Sequence, residues 1–145
     1  MGMKKALSGY SGTPLVKKLG IKAGQSVAVV NPPNNFLAQE LQPLPENIRW
    51  AAARASGQRD FIMLFVISSK ALKKELPKLK KKLRREGTLW VSWPKKSSGV
   101  ATDLSFDVVQ QLGIKSGLVD VKICAVNEIW SGLKFVYRLK DRATL

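Results

Sequence analysis

The sequence predicts an α/β fold of three layers, in which helices cover both faces of a mostly parallel sheet that ends in an antiparallel hairpin. Two segments, residues 26–30 and 61–67, are apolar at almost every position, as is typical of strands buried on both faces. Segments with helical periodicity separate the strand-like segments, and two strand-like segments near the C-terminus flank a short turn. We expect residues 1–145 to form a single domain of this class.

The first third of the chain predicts a short helix, a buried strand and a second helix. Residues 1–12 are polar and broken by glycines, which indicates a flexible lead. Thr13 and Pro14 are suited to begin a short helix that Gly20 ends. After the strand at 26–30, a proline-containing turn leads to a helix over residues 36–41. Residues 48–53 fit either a short edge strand or a helical turn.

A strongly basic helix is predicted after the strand at residues 61–67. It covers residues 70–86, with leucines at i, i+4, i+7 and i+11 on one stripe, Pro77 in its interior and Gly87 at its end. Cations cover the other faces, and those chosen as candidate contacts to a polyanion are Lys73, Lys74, Lys78, Lys81 and Arg85. The alternative interpretation is an ordinary solvated face outside a leucine stripe.

A strand followed by a basic loop comes next, at residues 87–103. Aromatic and β-branched residues form the strand, and Pro94 ends it because proline cannot donate to a sheet. Thr102, Asp103 or Ser105 is suited to cap a helix that runs to about residue 111. Residues 118–126 and 133–139 then form the predicted hairpin.

A ligand site is predicted where the parallel strands end, because ligands of open α/β sheets bind outside the carboxyl ends of the strands. Small residues and lysines at this edge suit an anion, although the loop does not match the phosphate-binding loop and is also explained as a solvated connection. The candidate ligand-binding residues are Asn31, Asn34, Ser68, Ser69, Trp93, Lys95, Lys96, Ser97 and Asp103.

The amino-acid composition limits the partners, the catalytic residues and the metal ligands that the protein can have. The formal net charge of +15 favours polyanionic partners, either nucleic acid or an acidic protein surface, and the oligomeric state stays open. The chain contains no histidine, which removes the commonest general base and metal ligand. Cys124, the single cysteine, lies in an apolar run and is predicted to be buried and inert. We therefore expect no metal site, no cofactor and no catalytic residue.

No apolar run approaches the length of a membrane span, and the basic N-terminus lacks the apolar core of a signal peptide. A cytoplasmic location is the resulting expectation.

Residues 60–139 resemble the second half of class I methyltransferases, with a strand, helix, glycine, strand, helix and hairpin in that order. Over nearly the whole chain, longer motifs resemble an uncharacterised bacterial family, domain of unknown function 3052. These motifs are SGYSGTPL at residues 8–15, KLGIKAG at 18–24, LWVSWPKKSSGVATDL at 89–104, GLVDVKICAV at 117–126 and WSGLKFV at 130–136. The resemblance implies a Rossmann-like domain, and it brings no established activity or catalytic residue.

A methyltransferase of this class needs a glycine-rich turn after its first strand and an acidic residue after its second. Residues 31–35 instead read Asn-Pro-Pro-Asn-Asn, and the segment equivalent to the one after the second strand is shortened and basic. The sequence therefore favours a non-catalytic module with a degenerate methyltransferase-like fold, which binds an anionic ligand or partner. The alternative is an enzyme with an unrecognised small-molecule substrate or cofactor at the strand ends.

Overall fold

The computed structural model describes residues 13–52 and 55–142, so the lead predicted over residues 1–12 lies outside the described residues. Its centre is a six-stranded mixed sheet, which confirms the predicted fold class. In chain order the strands are β1 (Ser26–Val30), β2 (Arg49–Trp50), β3 (Arg59–Phe65), β4 (Leu83–Pro94), β5 (Leu118–Ala125) and β6 (Trp130–Tyr137).

The strands lie in the order β2-β1-β3-β4-β6-β5. The first four are parallel to one another, and β6 pairs antiparallel with both β4 and β5. The C-terminal hairpin is thus confirmed, and it inserts so that β6, not β5, lies beside β4. The helices are α1 (Leu15–Leu19), α2 (Ser69–Lys82), α3 (Phe106–Lys115) and α4 (Leu139–Arg142), with a π-helical turn at Phe36–Glu40 and a 3-10 turn at Lys96–Ser98.

Side chains on the two faces of the sheet form two separate cores. On one face α2 and α3 pack through Leu72, Leu76 and Val109. On the other face α1 and the π-helical turn pack through Leu19 and Phe36. Because β3 contributes to both cores with alternate residues, it is buried on both sides, which explains its nearly unbroken apolar sequence.

The basic helix ends earlier than the sequence predicts. We expected it to reach residue 86, but α2 ends at Lys82 and β4 begins at Leu83, which pairs with Arg59. Gly87 lies inside β4 and does not cap the helix. A Cβ at this position would lie 2.9 Å from the backbone oxygen of Asp60, so the glycine is required by the close approach of two strands.

The segment that the sequence left open contains the short edge strand β2. The guanidinium of Arg59 holds in place the described residues of the connection that leads to β3, 51–52 and 55–58. Arg59 is only 3% exposed and donates to the backbone oxygens of Ala52, Ala55, Ser56 and Gln58. These carbonyls solvate the buried charge in place of water.

Three other predicted elements differ in detail. The helix expected over residues 36–41 is a π-helical turn, and α1 begins after Pro14 without a side-chain cap from Thr13. Helix α3 extends past residue 111 to Lys115, and Ser105 caps it by accepting from the backbone N–H of Val108. Within residues 13–52 and 55–142, no helix is long and apolar enough to cross a membrane.

Candidate functional site

The connections that follow β1 and β3 leave the sheet toward opposite faces. After β1 the chain turns to the face that holds α1, where Phe36 is buried. After β3 it enters α2 on the other face. Since β1 and β3 are neighbours, the sheet has its topological switch point between them. In open α/β sheets this divergence creates the crevice in which ligands bind.

The turn after β1 adopts a backbone that usually requires glycine. Asn31 has a φ of 57° and Asn35 a φ of 65°, both in the left-handed region. Asparagine tolerates this region better than other non-glycine residues. The turn after β1 can therefore be tight although it contains no glycine. The asparagines that replace glycine place polar amide groups at the crevice.

A groove of about 960 Å³ runs from this turn along α2. It is lined by Val30 and Asn31 at the end of β1 and by residues 56–58 of the connection that precedes β3. The helical wall consists of Glu75, Pro77, Lys78, Leu79, Lys81 and Lys82. The groove stays open because the described residues between β2 and β3 form no helix that covers this flank of β1.

The wall of the groove is positively charged. Lys78 and Lys81 are exposed, and Lys82 is held by a 2.7 Å hydrogen bond from its Nζ to the backbone oxygen of Ala55. Glu75 is the carboxylate among the lining residues. The groove is therefore suited to an anionic ligand that also carries a hydrogen-bond donor for the carboxylate of Glu75.

The predicted ligand-binding residues fall into separate groups. Asn31 lines the groove, and Asn34 is exposed in the same turn. Trp93 is only 4% exposed and belongs to the core between the sheet and α2, so its indole ring is not presented to a surface ligand. Lys95, Lys96 and Ser97 lie at the end of β4, where the Lys95 N–H donates to the Ile129 oxygen.

Ser69 and Asp103 are hydrogen-bonded to each other at the beginning of α2, next to the helix cap Ser68. Ser68 caps the helix by accepting from the Ala71 N–H, while the N–H and hydroxyl of Ser69 both donate to Asp103, at 2.8 and 2.7 Å. The hydrogen bond from the Ser69 hydroxyl, followed by that from its backbone N–H, lowers the pKa of Asp103. Ser69 and Asp103 therefore join two loops at the carboxyl edge, while Ser68 caps α2.

The candidate polyanion contacts are only partly on one surface. Lys73, Lys74, Lys78 and Lys81 are exposed on α2. Arg85 is exposed too, but it belongs to β4, because the helix ends before it. Of the five, Lys78 and Lys81 line the groove.

Sequence reasoning missed Gln58, Glu75 and Lys82 as groove residues. Ser56 and Gly57 are residue types that are typical of a turn, but the sequence does not show that residues 56–58 lie opposite α2. Their position depends on two features: the described residues between β2 and β3 form no helix over β1, and Arg59 binds the backbone of this connection. Neither feature can be recognised from the local sequence.

Cys124 is half-buried, and burial raises the pKa of its thiol, which disfavours the nucleophilic thiolate. Within the described part of the chain, no three His, Cys, Asp or Glu side chains cluster as metal ligands would.

Comparison with known proteins finds similarity in structure only. No family model matches the sequence. No curated protein matches it either. Among solved structures, a SAM-dependent methyltransferase from Aquifex aeolicus superposes with a TM-score of 0.61 at 14% identity, over 83% of this chain and 86% of that one.

Two further structures show the same relationship. A ribosomal protein L11 methylase from Lactobacillus delbrueckii has a TM-score of 0.57 at 14% identity, over 86% of this chain and 75% of that one. A magnesium protoporphyrin IX methyltransferase from Synechocystis, solved with bound SAH, has a TM-score of 0.55 at 10% identity, over 86% and 78%. The chain therefore has the fold of SAM-dependent methyltransferases.

Proposed function

We propose that this protein is an enzyme that binds a small anionic substrate or cofactor in the groove at the β1–β3 switch point. The observation that carries the proposal is that Val30 and Asn31, at the carboxyl end of β1, line the groove. Ligands of open α/β sheets bind at this position. The similarity in fold to methyltransferases, which are enzymes, supports a catalytic role over a purely structural one.

The residues at this edge do not fit S-adenosylmethionine in the pose that the fold usually provides. That pose uses a carboxylate after the second strand to bind the ribose hydroxyls. Here β2 ends at Trp50 and is followed by Ala51 and Ala52, which offer no carboxylate. Pro32 and Pro33 also remove two backbone N–H donors from the turn after β1. A different anionic ligand is therefore proposed.

The lining residues define what such a ligand needs. Lys78 and Lys81 attract its negative charge, and the Asn31 amide can both donate and accept a hydrogen bond. Glu75 is the lining group that can accept a proton during a reaction, since the chain has no histidine.

The test uses NMR titrations of the protein with pyrophosphate, ATP and S-adenosylmethionine. Asn31→Gly keeps the left-handed backbone but removes the amide, and we expect it to weaken binding of a phosphorylated probe by about tenfold. Asn47→Gly is the matched control, because Asn47 has the same φ of 57° and lies outside the groove. Binding that shifts no amide signal of Asn31, Gln58 or Glu75 would contradict the proposed site.

Catalysis is tested separately, by following each bound probe for conversion to product. We expect Glu75→Gln to retain binding and to lose conversion, because glutamine cannot accept the proton. Binding without conversion in the wild-type protein would favour the second candidate, a non-catalytic module for nucleic acid or an acidic partner. The exposed lysines outside the groove, Lys73 and Lys74, favour that candidate.

Membership of family 3052 and a cytoplasmic location stay predictions.

A further inference from the structure

Four lysines gather on the face of the sheet opposite the groove. Lys122 on β5 and Lys134 on β6 are directly paired across the two antiparallel strands. Lys134 also pairs with Trp90, whose side chain belongs to the core under α1, so both lysines point toward α1. Lys18, in α1, and Lys22, just after it, complete the set, which we call the α1-face lysine cluster (Lys18, Lys22, Lys122, Lys134).

Hydrogen bonds hold part of this cluster in place. Lys122 Nζ donates to the backbone oxygen of Lys18 at 3.0 Å, and Lys18 Nζ donates to the oxygen of Ala125 at 3.2 Å. The side chain of Lys134 reaches the C-terminus of α1, where a Cβ at Gly20 would lie 3.9 Å from its Nζ. Three amines on two strands and one helix are thus directed to a common region.

The pairing of Lys122 with Lys134 is unfavourable in the protein alone. Like charges directly opposite each other on neighbouring strands are destabilising. Burial, followed by the charges of Lys122 and Lys22, lowers the pKa of Lys134. Within residues 13–52 and 55–142, no carboxylate forms an ion pair with Lys22, Lys122 or Lys134. A bound anion would remove the repulsion that these contacts leave uncompensated.

We infer that the α1-face lysine cluster is a binding site for a phosphate group, separate from the groove at the switch point. Phosphate matches the cluster because its oxygens accept several charge-assisted hydrogen bonds at once, and lysine binds it as a point charge. A free phosphorylated molecule and the backbone of a nucleic acid carry the same group, and the experiment distinguishes these two sources.

The test is an NMR titration that observes the side-chain methylene signals next to each lysine Nζ. Pyrophosphate and a short single-stranded DNA oligonucleotide are added in separate arms. We expect at least one of them to shift the signals of Lys122 and Lys134 and to raise the pKa of Lys134, since a bound anion favours its charged form. Pyrophosphate alone would indicate a small ligand, and a response to the oligonucleotide alone would indicate backbone phosphates.

Two double variants distinguish binding at the α1-face lysine cluster from a general effect of the protein's net charge. Lys122→Gln/Lys134→Gln is expected to weaken binding of the responding probe by about tenfold or more. Lys115→Gln/Lys140→Gln removes the same charge from exposed positions on α3 and α4 and should change binding less than about twofold. Lys22→Gln, a change at an exposed residue, provides a second variant if the first fails to fold.

Equal weakening of probe binding in the two double variants would overturn the inference, because the loss of affinity would then follow from the lower net charge alone. Signals of Lys122 and Lys134 that neither probe moves would overturn it too. Asn31→Gly should leave this binding unchanged, so failure of the groove proposal and failure of this one are distinguishable.

Discussion

At the scale of single residues, Asp103 joins two loops that are distant in sequence. Its carboxylate accepts from both the N–H and the hydroxyl of Ser69, and the neighbouring Thr102 hydroxyl donates to the Ile67 oxygen at 2.6 Å. The sequence suggested Asp103 as a cap for the helix that follows it, but Ser105 caps that helix. Asp103 instead accepts from the backbone N–H of Ser69, the first residue of α2, beside the cap that Ser68 supplies, and a local sequence pattern could not show this contact.

We predict that this contact makes the stability of the protein depend on pH. The hydrogen bonds from Ser69 lower the pKa of Asp103 in the folded state. The contact therefore stabilises the fold fully above the unfolded pKa, near 3.8, and the stabilisation is lost as the pH falls through the lower folded pKa. Urea unfolding of the wild type and Asp103→Asn should differ at pH 6 and converge as the solution is acidified.

Glu128→Gln is the control, since Glu128 is an exposed carboxylate in the β5–β6 turn. It should follow the wild-type curve. A gap between the wild type and Asp103→Asn that stays constant with pH would show that the asparagine acts through something other than the lost charge.

At the scale of elements, α3 packs on the sheet through a glycine. Gly113 is buried, and a Cβ added there would collide with the ring of Phe135, which is fully buried on β6. The ring cannot move aside, because the surrounding core is close-packed. The helix can approach β6 this closely only because position 113 has no side chain.

Gly113→Ala should therefore destabilise the protein, although alanine is the better helix former. Overpacking a core costs about 1–3 kcal/mol, and the gain in helix propensity is about 1 kcal/mol. Because the added Cβ would overlap the Phe135 ring severely, we expect the upper end of the overpacking cost and a net loss of about 2 kcal/mol in the free energy of unfolding, measured in urea. Gln111→Ala, at an exposed position of the same helix, should change it by less than about 0.5 kcal/mol. A Gly113→Ala variant as stable as the wild type would show that α3 can move away from Phe135.

At the scale of the whole molecule, repulsion among the positive charges destabilises the folded state. The net charge is +15, and much of it lies on α2, where Lys70, Lys74 and Lys78 follow one another at intervals of one turn. Like charges at i,i+4 repel one another. At low ionic strength this repulsion extends across the surface, and salt screens it.

Lys74→Glu should raise stability at low salt. The new carboxylate lies one turn from both Lys70 and Lys78, so two repulsive contacts become attractive, for a gain of about 1–2 kcal/mol. The gain should shrink as sodium chloride is added, which thermal unfolding over a salt series measures. A gain that does not change with salt would exclude charge repulsion as its cause.

The fold was largely predictable from the sequence. Continuous apolar sequence at residues 26–30 and 61–67 predicts strands that are buried on both faces, and the structure confirms strands β1 and β3 there. Strand β3 nevertheless runs from Arg59 to Phe65, and Ile67, beyond its end, is 50% exposed. The antiparallel hairpin was predictable from its turn. The end of α2 was not, because Arg84, Arg85 and Glu86 look helical locally, whereas pairing with β3 draws Leu83 into a strand.

The sequence by itself determined which segments are buried, which residues punctuate them, and that the surface is strongly basic, because periodicity and composition are local properties. Only the tertiary structure decided that Asn31 lies at a groove lined by Glu75 and Gln58, and that Lys122 lies opposite Lys134. It also decided that Trp93 is core. These contacts depend on the order of the strands and on the face to which each connection crosses, and both result from the packing of the whole chain.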